Sequence, residues 1–135
     1  MRVVLDTNVV VSGVLSEMGP PGQLLDLALA SELTLVVEPR ILGEYREVLA
    51  RPKLHLDQTV VGALLETLDA IGFSVTASPW PHRLPDPDDE VFIAAAAAGI
   101  ATLVTGNMAH FPPACRAGVR VLTPREALEA LRTSA

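Results

Sequence analysis

The sequence predicts an α/β domain in which a central, mainly parallel sheet is covered by helices on both faces. Strand and helix signals alternate along all 135 residues, without repeats or low-complexity linkers. Such alternation is typical of parallel strands joined by crossover helices. Half of the residues are hydrophobic, so a chain of this length can bury a core without disulfides or structural metal. We therefore expect one domain, residues 1–135.

The first 37 residues predict two strands that bracket two helices. Arg2 to Leu5 is a short apolar run suited to a buried strand, and Asp6-Thr7-Asn8 offers N-cap side chains for a helix ending near Ser16. After a turn rich in Gly and Pro, leucines and alanines over residues 24–28 predict a second helix. Thr34 to Val37 then predicts the second strand.

The rest of the chain predicts three more strands among four helices. The stretches RILGEYREVLAR and LDQTVVGALLETLDAIG predict amphipathic helices, and Asp86-Pro87-Asp88-Asp89-Glu90 predicts the start of an Ala-rich helix closed by Gly99. Thr123-Pro124 predicts the cap of a final helix. The expected strands are Phe73 to Thr76, Ala101 to Val104 and Val119 to Leu122.

Charge and cysteine content restrict the class of protein. The net charge of -6 argues against nucleic-acid binding over the whole surface, so any such contact is expected to be local. Cys115 is the single cysteine and cannot form an internal disulfide, which favours a reducing compartment, the cytoplasm. No apolar segment has the length of a signal-peptide core or a membrane span. We expect a cytoplasmic protein without membrane contact.

Polar side chains follow two of the predicted strands at the point where each strand ends. Asp6 stands directly after the first strand, and Thr105-Gly106-Asn107 follows the fourth. Asp89 lies in the first turn of the helix that leads to the fourth strand. In open parallel sheets, ligands bind outside the carboxyl ends of the strands, so these groups are expected at one edge. Capping of the helix dipole explains Asp6 and Asp89 individually about as well.

Helical geometry separates Glu44 from the neighbouring Glu47. On a helix of 100° per residue, Glu44 lies at the border of the apolar face, whereas Glu47 lies almost opposite that face. Glu47 is therefore expected to be solvated. A glutamate at the border of an apolar face is also often a solvated residue, so Glu44 alone is a weak candidate for function.

Three stretches together resemble PIN-domain nucleases, specifically the VapC-like toxin components of toxin–antitoxin pairs. They are VVLDTNVVVSGVLS, EPRILGEYREVLARPKL and LPDPDDEVFIAAAAAGIATLVTGNMAHFP, and with them the resemblance covers nearly the whole chain. The resemblance implies a PIN-like α/β/α sandwich, cleavage of RNA with Mg²⁺ or Mn²⁺, and inhibition by a cognate antitoxin protein. It also assigns metal ligation to Asp6, Glu44 and Asp89, with Asn107 at a fourth catalytic position that many relatives fill with Asp.

The chemistry of phosphodiester hydrolysis explains why carboxylates gather in such a site. Hard divalent cations prefer oxygen ligands, lower the pKa of bound water and neutralise charge on the phosphate. The neutral Asn107 weakens the match and is expected to weaken binding of a second metal. Asp86 and Asp88 are possible substitutes, although capping of the following helix explains Asp86 better.

Several neighbouring polar residues are weaker candidates. Contacts to the ligand carboxylates or to substrate are expected for Asn8, Ser12 and Thr105, and less for Thr7, although local backbone bonding explains each about as well. His110 is read as a residue that stabilises its loop. Arg46 and Arg51 are candidates for phosphate contact, with a solvated helix face as the equal alternative. Cys115 lacks a base partner and is not expected to be catalytic.

An apolar stripe on the second amphipathic helix suggests a homodimer. A domain this small leaves part of a broad stripe exposed, and PIN toxins, which the chain resembles, pair about a two-fold axis. The alternative is that the whole stripe is core. The stripe comprises Val60, Val61, Leu64, Leu65, Leu68 and Ile71.

Two other functions stay open from the sequence. A degenerate PIN domain that binds RNA or a protein partner without cutting is compatible with Asn107 and the acidic surface. A phospho-acceptor signalling domain would also place acids at strand ends, but it would need a second acid beside Asp6 and a lysine on a late strand. Lys53 is the only lysine, so this last function ranks below the others.

Overall fold

Five parallel strands form the centre of the molecule. The computed structural model describes residues 1–133, and its sheet has the strand order β3-β2-β1-β4-β5 with every neighbouring pair parallel. The strands are β1 (Arg2–Leu5), β2 (Thr34–Val37), β3 (Phe73–Ser74), β4 (Thr102–Val104) and β5 (Val121–Leu122). The prediction of an α/β fold with a mainly parallel sheet is confirmed.

Six α-helices connect the strands or pack beside them in the described residues. Pro-containing first turns begin α2, α3 and α6, as expected for a residue that lacks an amide N–H. In chain order the helices are α1 (Thr7–Leu15), α2 (Pro20–Leu29), α3 (Pro39–Leu49), α4 (Gln58–Ile71), α5 (Glu90–Ala98) and α6 (Pro124–Thr133). Within residues 1–133, none of them is long and apolar enough to cross a membrane.

The first strand of the chain is the central strand of the sheet. On one side Val3 pairs with Leu35 of β2, and on the other side the same residue pairs with Thr102 of β4. The side chains of Val3, Val4 and Leu5 are fully buried, as is typical of a parallel strand with both faces covered. The N–H of Asp6 extends the pairing by donating to the carbonyl of Val104 at 2.9 Å. Asp6 therefore leaves the sheet at its centre, at the carboxyl edge.

Three strands are shorter than the sequence predicts, for local reasons. After β3, the N–H of Val75 still donates to Val37, but the N–H of Ala77 is drawn to the buried carboxylate of Glu38 at 3.4 Å. Before β5, the N–H of Val119 donates to Arg116 in a turn rather than to a strand. β4 begins one residue late, because the N–H of Ala101 still closes the last turn of α5.

The predicted helix caps are confirmed at two places. Asp86 accepts from the N–H of Asp88 at 2.9 Å and begins a 3₁₀ turn, Pro87–Asp89, which leads directly into α5. At α6, Thr123 and Glu126 bond each other's backbone N–H groups at 2.9 and 3.2 Å. This reciprocal pair is a capping box and fixes where the last helix begins.

The apolar stripe of α4 is largely internal. Val61, Leu65 and Leu68 are buried in the core, whereas Val60 is 63% exposed and Ile71 lies at the margin. Most of the stripe is therefore covered by the chain itself, and only its edge is open to a second copy. The homodimer stays a prediction.

A backbone conformation unusual for its residue type follows α5. Ile100 has φ 51°, in the left-handed region, and its side chain is 86% exposed. The neighbouring Gly99 cannot carry a side chain, because a Cβ there would lie 2.9 Å from Cγ1 of Val36. The glycine at this helix end thus serves packing against β2, and the β-branched residue takes the left-handed position that glycine usually fills.

We expect Ile100→Gly to stabilise the protein by about 0.5 to 1 kcal/mol. Removing the left-handed strain of a β-branched residue gains more than the extra unfolded-state entropy of glycine costs, and the exposed side chain contributes little burial. Urea unfolding at neutral pH measures the difference. Ala63→Gly, on the exposed side of α4, is the control and should destabilise by about 1 kcal/mol. An Ile100→Gly variant less stable than wild type would contradict the strain.

Candidate functional site

Asp6 is a buried carboxylate at the end of the central strand. Its side chain is only 6% exposed by residue, and both oxygens accept hydrogen bonds at 2.8 Å, from the N–H of Thr7 and from the hydroxyl of Thr105. Burial raises the pKa of Asp6, and these two hydrogen bonds and the charge of His110 only partly oppose the rise. Asp6 is thus fixed in position while its negative charge is poorly solvated.

Glu44 reaches the same edge from α3. The hydroxyl of Thr7, the residue that follows Asp6, donates to Oε2 of Glu44. The next residue of α3, Tyr45, is fully buried and donates its hydroxyl to the carbonyl of Leu5, the last residue of β1. Burial raises the pKa of Tyr45, and the charges of Asp6 and Glu44 add to the rise. Tyr45 therefore attaches α3 to β1 beside the two carboxylates.

Asp89 lies where the 3₁₀ turn meets α5, with its side chain 14% exposed. Its Oδ2 is 2.9 Å from Nδ1 of His110, an ion-pair distance, but no donor in residues 1–133 meets it with good hydrogen-bond geometry. Burial raises the pKa of Asp89 to about 6, with the charge of Asp6 adding to the rise and the charge of His110 opposing it. The environment of Asp89 thus disfavours its charged form, chiefly through burial and next through the charge of Asp6.

The polar residues after β4 complete this edge. Thr105 is fully buried, donates to Asp6 and accepts from the N–H of Asn107 at 3.0 Å. Asn8 accepts from the N–H of Gly106 at 3.2 Å, which ties the start of α1 to the end of β4. Ser12 is exposed on α1, and its side chain makes no hydrogen bond within the described part of the chain. Asn8 and Thr105 thus make hydrogen bonds at this edge, whereas the substrate contact expected of Ser12 stays a prediction.

Two residues are more closely involved than the sequence suggests. Thr7 contacts both Asp6 and Glu44, although it ranks below Asn8 and Ser12 in the sequence analysis. His110 is predicted only to stabilise its loop, yet it pairs with Asp89. A hydroxyl directly after a strand-end acid was the available signal for Thr7. For His110, the signal was its position in the same predicted loop as Asn107.

Glu38 is a further acid at the carboxyl edge that sequence analysis missed. It follows β2 and is 2% exposed. Burial raises its pKa, but hydrogen bonds and charge from Arg40, with the N–H of Ala77, outweigh burial and leave the pKa lowered. Arg40 lies 2.6 Å from its Oε2. Glu38 is therefore engaged as the N-cap of α3 and as an anchor for the loop after β3.

The remaining candidates lie on the surface or in loops. Arg46 and Glu47 are exposed on α3, and Glu47 pairs with Arg51 at 3.6 Å. These exposed side chains fit the solvated helix face that the sequence allowed. The thiol of Cys115 lies 3.3 Å from the carbonyl of Arg83, so it acts as a local loop contact.

The donor set has the chemistry of a site for a hard cation. Asp6, Glu44 and Asp89 offer carboxylate oxygens, and the raised pKa values of two of them reflect a charge that a divalent cation would compensate. In the described residues, however, no three His, Cys, Asp or Glu side chains group closely enough to hold one ion. Thr7, Thr105 and His110 engage the three acids instead. The residue types fit Mg²⁺ or Mn²⁺, but the described side chains are not grouped around one position.

The raised pKa of Asp89 predicts how the stability of the metal-free protein changes with pH. An acid whose pKa rises from 3.8 to about 6 on folding stabilises the fold while protonated, and loses that contribution as the pH rises through the folded pKa. We expect Asp89→Asn to gain stability relative to wild type as the pH rises from 3.8 to about 6. Urea unfolding with a chelator at several pH values measures the difference. A difference that stays constant over this range would contradict the raised pKa.

Comparison with known proteins places this arrangement in a family. The model of the family described as PIN domain matches residues 2–109. An uncharacterised protein of Methanocaldococcus jannaschii is 27% identical over 110 residues, which cover 79% of this chain and 71% of that protein.

A solved structure has the same fold. It is the crystal structure of VapBC2 from Rickettsia felis bound to a DNA fragment from their promoter, with a TM-score of 0.65 and 17% identity. The match covers 91% of this chain and 98% of that chain. Because the family model spans most of the sequence, including the strand-end residues Asp6 and Asn107, the chain belongs to the PIN domain family.

Proposed function

We propose that this PIN-domain protein is a metal-dependent endoribonuclease, the toxin of a toxin–antitoxin pair, acting as a single domain in the cytoplasm. The observation that carries the proposal is the linkage of three distant carboxylates at one sheet edge. Thr7 joins Asp6 to Glu44, and burial together with the charge of Asp6 raises the pKa of Asp89. A fold needs a reason to keep three such charges together, and metal binding supplies one.

In this proposal Asp6, Glu44 and Asp89 hold Mg²⁺ or Mn²⁺, and Asn107 supplies a neutral oxygen at the fourth position. The bound metal would lower the pKa of an attacking water and neutralise charge on the phosphate. Thr105 and Thr7 orient the carboxylates by donating to them. Asn8 holds the loop of Gly106 against α1, which fixes the approach to Asn107.

His110 has a positional role in the metal-free site. It places Nδ1 2.9 Å from Oδ2 of Asp89, an oxygen that no described donor meets with hydrogen-bond geometry. This contact holds Asp89 near the site, since a carboxylate with a raised pKa would otherwise turn toward water. We assign His110 to positioning Asp89 and not to proton transfer.

The antitoxin is proposed from the VapC-like resemblance and from the fold shared with VapBC2. Homodimer formation is proposed on the resemblance as well, with the exposed Val60 at the edge of α4 as the open part of the apolar stripe. The alternative is a non-catalytic PIN domain that binds RNA or a protein partner. Two observations favour it: the neutral Asn107, and the absence of a ready-grouped metal site in residues 1–133.

We expect purified protein to cleave RNA with Mn²⁺ or Mg²⁺ and to lose this activity with a chelator. Asp6→Asn should lower the rate about 100-fold or more, since loss of a residue that only supports a metal ligand already costs about 10- to 100-fold. Asp69→Asn, on the exposed side of α4, is the matched control and should cleave like wild type. Gel analysis of labelled RNA measures the rates. If wild type and Asp6→Asn release the same products at the same rate, the site does not carry the activity.

Binding of the metal should also stabilise the fold, independently of any activity. Clustered carboxylates repel one another, and a ligand at about 100 times its Kd adds about 2.7 kcal/mol to the free energy of unfolding. We expect Mn²⁺ to raise the melting temperature of wild type by several degrees and that of Asp6→Asn much less. Asp69→Asn is again the control. Equal shifts in wild type and Asp6→Asn would mean that the metal binds elsewhere.

A further inference from the structure

A groove of about 660 Å³ opens directly beside Glu44. One wall comes from α3, the other from the turn that begins at Pro87, and Trp80 in the loop after β3 lies at its end. Glu44 contributes both to this groove and to the carboxylate cluster of the candidate site. The volume is within the range of small-ligand pockets. A group bound here would therefore lie next to the phosphate that the acids are proposed to cleave.

Trp80 gives the groove a fixed aromatic wall. Its Nε1 donates to the carbonyl of Cys115 at 2.8 Å, and its ring makes a T-shaped contact with His82, with the ring centroids 6.3 Å apart. The indole N–H is thus satisfied within the protein, and the ring lines the groove while only partly buried. A partly exposed ring that is held in place is a platform on which a nucleobase can stack.

The part of the groove that α3 lines leaves room for a flat group. Gly43 of α3 lines the groove, and a Cβ at this position would meet no atom within 4 Å. A glycine inside a helix lowers helix stability, so helix propensity does not explain why glycine stands here. The missing side chain does leave space in the groove.

The charged groups of the groove select for hydrogen-bond donors. Four carboxylates line it, and one of them, Glu47, pairs with Arg51 outside the lining. The one cation of the lining, Arg40, is paired with Glu38. Carboxylates only accept hydrogen bonds, so they repel a phosphate and attract the exocyclic amino group of a base. The four residues are Glu44, Glu47, Asp88 and Glu90.

We propose that this groove binds one unpaired nucleobase of the RNA substrate, stacked on Trp80, and prefers bases with an exocyclic amino group over uracil. The inference takes its substrate class, RNA, from the proposed function and adds a base-binding groove to the same site. A base inside a duplex cannot enter such a groove, so the substrate is single-stranded at this position. The base selects the cleavage position, while the phosphate remains outside the groove at the carboxylate cluster.

The single tryptophan of the chain makes base binding directly observable. Neutral nucleosides are suitable probes, because they carry no phosphate to be repelled. We expect cytidine to quench Trp80 fluorescence in metal-free protein. Uridine should bind at least about fivefold more weakly, since one good amino-group contact discriminates by about 1 kcal/mol or more. Cytidine and uridine have nearly the same shape, so the comparison isolates the amino group.

A variant that fills the groove separates stacking from general quenching. Gly43→Leu places a side chain in the open space and should abolish quenching by cytidine. Gly62→Leu is the matched control on α4, because a Cβ there also meets no atom within 4 Å, and it should bind cytidine like wild type. Both variants retain Trp80 and replace glycine by a better helix former, so circular dichroism should show both folded.

Equal binding of cytidine and uridine, or absence of quenching, would overturn the inference. So would quenching that persists in Gly43→Leu. Arginine amide is a cationic probe without a nucleobase, and quenching by this probe but not by cytidine would mean that the groove binds cations rather than bases. If RNA is cut with Mn²⁺ without base preference and Trp80 does not respond, the base site is wrong and the nuclease assignment stands. If cytidine binds selectively but no divalent metal supports cleavage, the base site stands and the nuclease assignment is wrong.

Discussion

The structure depends on keeping one carboxylate, that of Asp6, buried at the end of the central strand. Burial of an acid is costly unless its oxygens are bonded, so the surrounding elements are fixed by the donors they must supply. Thr7 donates from the start of α1, and Thr105 donates from the end of β4. The Thr105 bond, together with the backbone bond from Asp6 to Val104, joins the carboxyl ends of β1 and β4. The same two segments carry Asn8 and Asn107, so the constraint on Asp6 also sets the geometry of the whole edge.

The elements around Asp6 are attached to β1 by interactions that leave the site intact. Tyr45 donates its hydroxyl to the carbonyl of Leu5, and Glu38 holds the loop after β3 by accepting from the N–H of Ala77. Each of these polar contacts is internal to the fold, and neither uses an oxygen of Asp6, Glu44 or Asp89. The fold thus has attachments at this edge that do not involve the candidate acids. The raised pKa values of Asp6 and Asp89 reflect charge that their protein partners compensate only in part, and this is the reason to assign a ligand to the edge.

The sequence predicted the positions of the acids better than their contacts. β1 and β2 match residue by residue, because apolar runs bounded by Asp6 and by Pro39 leave little choice. The predicted last residue of β3 and the predicted first residue of β5 were wrong. Glu38 binds the backbone after β3, and a turn at Arg116 binds the backbone before β5. Side-chain pairs such as Thr7 with Glu44 join residues 37 positions apart and depend on rotamers, which a sequence pattern does not contain. The fold class follows from periodicity, whereas the bonded partners of the acids require coordinates.

The central place of β1 also determines when this edge can exist during translation. The hydroxyl that satisfies Asp6 belongs to a residue 99 positions later in the chain. At a synthesis rate of roughly 5 to 20 residues per second, several seconds or more separate the appearance of the two residues. Until β4 has emerged from the ribosome, β1 lacks its partner on one side and Asp6 lacks one of its donors. A nascent fragment therefore contains the acidic residues without the edge that joins them, and any function of this edge must wait until most of the chain has been made.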